Sequence, residues 1–277
     1  MLVVTSTLPD RHGTHPPVIL VHGAANSSGV WAVWQRELAR RGWTSFAVDL
    51  RGHGRSGDID LATVRMEDYA EDVRAVAAQL RQPPILMGWS MGGLVAMMVA
   101  ASGLGTACVG LAPSVPTREI DSSLPLRAGV FSSEEYGITS LDPANQPTMP
   151  DLDQEERTIA LASLASESRL ARDERKRGIV IQTLPRPLLI VTGALDEQWP
   201  RQRYDELWLP VDHLRVEGAS HWGLVLNRRA LTGAIPAILH WIEEDACTLG
   251  GAAQAGSLRS SQSSFGEKGR PLAEETG

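Results

Sequence analysis

A serine stands between two glycines in Gly88-Trp89-Ser90-Met91-Gly92, after the apolar run Pro84 to Met87 and before a second from Leu94 to Ala101. That pattern predicts strand, sharp turn and helix, with the serine pushed out of the backbone line toward a ligand. The glycines carry no Cβ, so the chain can double back tightly. A serine hydroxyl is a weak nucleophile at neutral pH. It needs a base to take its proton, and the base needs a carboxylate to hold its tautomer. In open parallel sheets reactive groups gather at the carboxyl ends of strands. Asp196 stands there, on the turn Gly193-Ala194-Leu195-Asp196 after Leu188–Thr192, and so does His221, on the loop Glu217 to Trp222 after Leu214–Val216. Ser90, Asp196 and His221 are the candidate catalytic set.

Other residues compete less well for these roles. The strand Ala107–Leu111 ends in Ala112-Pro113-Ser114, which offers no carboxylate, and Glu197 reads as a surface charge beside Asp196. His12 and His15 precede the first sure strand, while His213 and His240 lie within a strand and a helix; all four read as structural. His53, in a strand-end loop, is a candidate for substrate contact, and His22 reads as a loop brace. The oxyanion of a tetrahedral intermediate needs N–H donors aimed in advance. The Met91 amide, at the positive end of the helix behind the turn, is one candidate. The Ala24 amide is the other, with Ala25 as an alternative.

The elements that must position these residues alternate from residue 18 to 112. Strands are predicted at Val18–Val21, Ser45–Val48, Ile85–Met87 and Ala107–Leu111, with helices over Val30–Arg41, Met66–Leu80 and Gly92–Ala101. Continuous apolar strands alternating with helices predict a mostly parallel, doubly wound α/β sheet covered on both faces. The rhythm breaks at Pro113. Residues 113–183 show no clear strand and two helical stretches, near Glu155–Leu164 and Ser166–Arg177, as expected of a lid inserted in a crossover. Strands return at Leu188–Thr192 and Asp212–Val216, and Asn227–Glu244 closes the pattern. Sixteen of the 32 residues from Ala246 to Gly277 are Gly, Ala or Ser, the composition of a disordered tail.

At 277 residues, 43% hydrophobic and 21% charged, the chain has the make-up of one large globular domain with an insertion. A net charge of −7 and the lack of a basic stripe exclude nucleic acid as the expected partner. The basic run Arg172 to Arg177 is interrupted by acids and reads as a solvated helix face. Cys108 and Cys247 do not make a disulfide framework, and Cys108 lies in an apolar run as a small core residue. No signal peptide or membrane-spanning stretch is expected, which makes the cytoplasm the default location. No cluster has metal-ligand spacing, so neither metal nor cofactor is expected.

These residues together resemble the α/β-hydrolase superfamily, in its branch of capped serine esterases. The matching pieces are His22-Gly23-Ala24-Ala25, Asp49 to Ser56 (Asp-Leu-Arg-Gly-His-Gly-Arg-Ser), Gly88-Trp89-Ser90-Met91-Gly92-Gly93, Gly193 to Asp196, and Ser220-His221-Trp222. The order Ser, acid, His is that of the superfamily, whose nucleophile sits on a G-x-S-x-G elbow. The resemblance implies a hydrolase core at 1–112 and 184–245 and a helical cap at 113–183. Dehalogenase and epoxide-hydrolase branches carry an aspartate at the elbow. Serine there implies an acyl-enzyme and cleavage of a carboxylic ester. The elbow also resembles that of pimeloyl-carrier methyl ester esterases, although His22 to Ala25 lacks the aromatic usual beside that oxyanion loop. Family members commonly begin with a two-strand hairpin; the short, proline-rich segment before Val18 implies a shortened or missing strand.

The fold alone does not choose a substrate. Acyl transfer, thioester or lactone hydrolysis and perhydrolysis run on the same triad, and a non-catalytic receptor is a further alternative. The partner expected is a small ester or other acyl substrate, with no membrane. Ala25, Trp89 and Trp222 are candidate pocket residues by adjacency to the oxyanion loop, nucleophile and base. Leu124, Leu126, Val130, Phe131, Ile138 and Leu141 are candidate cap walls.

Overall fold

Every side chain of the strand Val18–Val21 is buried, and its alternation divides the core in two. Val18 and Leu20 belong to one apolar cluster, Ile19 and Val21 to another, because successive residues of a strand point to opposite faces. The computed structural model describes residues 1–9, 13–57 and 59–260, with side chains through residue 244.

The chain runs β1 (Val3–Thr7), β2 (Val18–Val21), α1 (Ala32–Arg40), β3 (Ser45–Asp49), α2 (Met66–Ala77), β4 (Ile85–Trp89), α3 (Met91–Ala101) and β5 (Ala107–Leu111). The inserted segment follows, with β6 (Val130–Phe131), α4 (Gln154–Ala162), β7 (Glu167–Ser168) and α5 (Arg169–Arg177). It ends with β8 (Leu188–Gly193), β9 (Asp212–Val216), α6 (Gly223–Leu226) and α7 (Arg228–Ser260). Seven strands form one sheet in the order β1-β3-β2-β4-β5-β8-β9. Only β1 is antiparallel to its neighbour; the other pairings are parallel. α1, α6 and α7 pack on one face through Trp34, Leu224 and Ile235, while α2 and α3 pack on the other through Tyr69, Val73 and Leu94. This is the doubly wound architecture the alternating pattern predicts.

One feature matches the strand that the sequence implies is missing, and two differ from the sequence expectation. Among the described residues a single strand, β1, precedes β2 where a hairpin is usual, and it joins the outer edge of β3. The segment 113–183 contains a ladder, β6 against β7, and an isolated bridge between Thr117 and Val180. Two-residue strands are too short for alternation to register in a sequence window. Helix α7 also runs on to Ser260, past the Asp245 boundary of the expected tail; the rest of that tail, 261–277, lies outside the described residues. No described helix is long and apolar enough to cross a membrane.

Candidate active site

Ser90 links β4 to α3 with φ 54° and ψ −118°, a region that costs a residue bearing a Cβ about 1–3 kcal/mol. Its surroundings hold it there. Ser90 N–H donates to Leu111 O at 2.9 Å, and Ser90 O accepts from Gly93 at 3.1 Å and Ser114 at 2.9 Å. The flanking glycines are required by contact. A Cβ on Gly88 would lie 2.1 Å from Gly92 O, and one on Gly92 would lie 2.2 Å from Val21 O. The helix behind the turn packs so closely on β2 and β4 that no side chain fits.

Asp196 and His221 come together as the spacing predicts. His221 Nδ1 lies 2.7 Å from Asp196 Oδ2. The other carboxylate oxygen, Oδ1, accepts from the amides of Gln198 at 3.1 Å and Trp199 at 2.9 Å. Burial pushes the Asp196 carboxyl up, but the His221 hydrogen bond and these amides outweigh it and hold it below its ordinary 3.8. It is therefore ionised at neutral pH and fixes Nδ1 as the protonated nitrogen, leaving Nε2 to accept. Ser90 and His221 are both half-buried and line one cavity of about 400 Å³.

The loop after β2 lines the same cavity through Ala24, Ala25 and Asn26. His22 is fully buried; its Nδ1–H donates to Gly23 O at 2.8 Å and its Nε2 accepts from the Leu50 amide at 3.2 Å. Burial and the neighbouring His53 lower its pKa to about 4, so it stays neutral and braces the loop. The Met91 amide is the first of α3 and has no acceptor within the helix. Among the described hydrogen bonds the Ala24 amide is also unengaged. The Ala25 amide is not available: it donates to Glu167 Oε2 at 3.1 Å. The alternative of Ala25 as oxyanion donor is therefore excluded, although Ala25 still lines the cavity.

Glu167, on β7, was not visible as a site residue in the sequence. It is fully buried, and besides Ala25 it accepts from Tyr69 Oη at 2.5 Å and the Ser168 amide at 2.7 Å. His53 Nε2 lies 3.4 Å from Oε2. Burial opposes the charge on both partners, yet each holds the other ionised: the Glu167 carboxyl falls to about 2 and the His53 imidazole rises above 6.5. His53 thus meets Glu167 beneath the loop and does not line the cavity, contrary to the expectation of substrate contact.

A second carboxylate from the inserted segment reaches the loop that carries His221. Asp151 Oδ2 accepts from the Ser220 amide at 3.0 Å and from Asn227 Nδ2 at 2.9 Å. Trp89 and Trp222 line the cavity, as does Trp199, which no motif in the sequence singles out. Trp89 also braces the base, donating from Nε1 to His221 O at 3.0 Å. Of the six proposed cap walls only Ile138 lines this cavity. Val130 and Leu141 are exposed, and Phe131 is buried beneath Arg169 and Arg172. Glu197 is exposed at the cavity rim. Arg175, within the run read as a solvated face, lines the cavity instead.

Comparison with known proteins agrees with this architecture. The model of the "Alpha/beta hydrolase family" matches residues 18–232. Protein phosphatase methylesterase 1 of Mus musculus is 35% identical over 107 residues, 36% of this chain and 28% of that protein. A pimeloyl-[acyl-carrier protein] methyl ester esterase of Yersinia pseudotuberculosis is 29% identical over 183 residues, 65% of this chain and 64% of that protein. The matches thus span less than two thirds of these relatives. A thermophilic esterase from Thermogutta terrifontis superposes with a TM-score of 0.62 at 20% identity, over 87% of this chain and 93% of that one, and shares the fold.

Proposed function

We propose that this chain, which belongs to the alpha/beta hydrolase family, is a serine esterase that cleaves carboxylic esters of a small alcohol. The observation that carries the reading is the 2.7 Å Asp196–His221 contact beside a half-buried Ser90 held at φ 54°. His221 Nε2 takes the Ser90 proton as Oγ attacks the ester carbon. The positive charge on the imidazole is matched by Asp196, and the Met91 and Ala24 amides stabilise the oxyanion. His221 then returns the proton to the leaving alcohol. Water, activated by the same Nε2, attacks the acyl-Ser90 ester and releases the acid. Two relatives bear names that specify methyl esters, which supports a small alcohol, and a cavity near 400 Å³ is at the small end for ligand sites, which supports a small group bound there.

A fluorophosphonate tests the nucleophile: the folded protein should label, and Ser90→Ala should not. A panel of methyl and p-nitrophenyl esters, with lactones and thioesters alongside, tests the substrate class. Tenfold faster turnover of lactones or thioesters would replace the ester reading.

A further inference from the structure

The cavity that holds Ser90 has a cation in its wall, Arg175, that makes no ion pair with a carboxylate among the described residues. Arg175 Nη2 donates to Tyr136 Oη at 3.0 Å and Nη1 to Ser114 Oγ at 3.4 Å. Both acceptors are neutral. Nε is buried and makes no hydrogen bond. Two other arginines of α5, Arg169 and Arg172, both pair with Glu135. The acid whose charge Arg175 senses, Glu167, is already taken by His53, Tyr69 and two amides. Asp196 is committed to His221, and Glu197 is exposed at the rim.

A guanidinium stays charged at any working pH and offers five N–H donors in a fork that matches a carboxylate. Holding it half-buried against two neutral hydroxyls leaves most of that capacity free to meet an anion in the cavity. Thr148, also on the cavity wall, has a buried hydroxyl with no partner. The subsite lies close to the nucleophile: Ser114 donates its amide to Ser90 O at 2.9 Å and receives Arg175 on its hydroxyl. One serine residue separates Ser90 from the guanidinium.

We propose that Arg175 is a specificity determinant that binds a carboxylate on the acyl part of the substrate, so that the favoured substrates are half-esters of short dicarboxylic acids. This rests on the esterase reading of Ser90. The reaction is plain hydrolysis: the ester acyl C–O bond breaks, water supplies the new oxygen, the small alcohol leaves, and the distal carboxylate is unchanged.

The test compares kcat/KM for monomethyl glutarate with that for methyl valerate, a neutral ester of matching acyl length. The wild type should prefer the half-ester, and glutarate should inhibit competitively where glutaramide does not. Arg175→Gln should lower the preference by about 10- to 100-fold, the range for a hydrogen-bonded charge, with the change in KM. Arg175→Lys should keep part of it. Arg172→Gln, paired with Glu135 outside the cavity, should leave the ratio unchanged. A wild type that shows no preference and no glutarate inhibition, or an Arg175→Gln variant that keeps the wild-type ratio, overturns the proposal. If no ester is turned over and fluorophosphonate does not label, the esterase reading fails separately. Calorimetric titration with glutarate then decides the subsite: binding lost in Arg175→Gln upholds it, and no binding to the wild type refutes it.

Discussion

Asp196 illustrates how much one residue's environment decides. Its carboxylate is nearly buried, yet three hydrogen bonds keep it ionised against desolvation. Asp196→Asn preserves the shape but can present an amide N–H to Nδ1, which favours the wrong imidazole tautomer. The expected outcome is a loss of about 10⁴-fold in kcat with a smaller change in KM, read from steady-state kinetics on a small ester. Fluorophosphonate labelling of the variant should slow in parallel. Trp89 and Trp222 illustrate the opposite case. Adjacency to the nucleophile and the base placed them at the cavity, but only the structure shows that Trp89 also holds the His221 carbonyl.

At the scale of elements, the inserted segment does more than cover the site. It sends one carboxylate, Glu167, to the loop that offers the Ala24 amide, and another, Asp151, to the loop that carries His221. The Ala165 amide adds a bond to Ala25 O at 2.9 Å, and Ser163 Oγ donates to Asn26 Oδ1 at 2.9 Å. Ala25 adopts φ 54°, and these contacts fix the loop in that conformation. On the proposed esterase reading, Glu167 acts as a positioning residue. Glu167→Gln keeps the volume but removes the charge that faces His53. It should lower kcat by about tenfold with KM little altered, since the Ala24 amide, proposed as an oxyanion donor, acts in the transition state. Affinity for a phosphonate transition-state analogue should fall in the same proportion. A change confined to KM would contradict the role.

For the whole molecule, buried ionisable groups set the pH range of stability. The Glu167 carboxyl falls to about 2 in the folded chain, so its contribution is present above its ordinary 4.5 and is lost as pH falls from there toward 2. His22 is buried neutral with a pKa of about 4, and its share is lost as pH falls from 6.5 toward 4. His53 acts on the other side: its pKa is raised by Glu167, so its share is complete below 6.5 and is lost as pH rises through the folded value. His53 faces His22, Asp49, Tyr69 and Glu167, and Glu167 faces Tyr69 and Arg175 as well. Melting temperature should decline below about pH 6.5 and more steeply below 4.5. Glu167→Gln should remove the steeper step. An unchanged acid limb in that variant would show that the pair does not set it.

By itself the sequence determined the parallel sheet, because continuous apolar strands separated by amphipathic helices have few ways to bury both faces. It also determined the sites of Ser90, Asp196 and His221, because strand ends in such a sheet converge on one edge. Their arrangement around a reacting carbonyl is a proposal built on that convergence. What only the tertiary structure decided came from the segment between β5 and β8. Arg175 and Glu167 lie 85 and 77 positions after Ser90 in the chain, the first in a run that reads as a solvated helix face and the second in no motif at all. Burial of a charge depends on what packs over it from elsewhere in the chain, and no local period records that. So the bond from the Ala25 amide to Glu167, and a cation in the cavity wall that has no carboxylate partner among the described residues, became visible only in the folded chain.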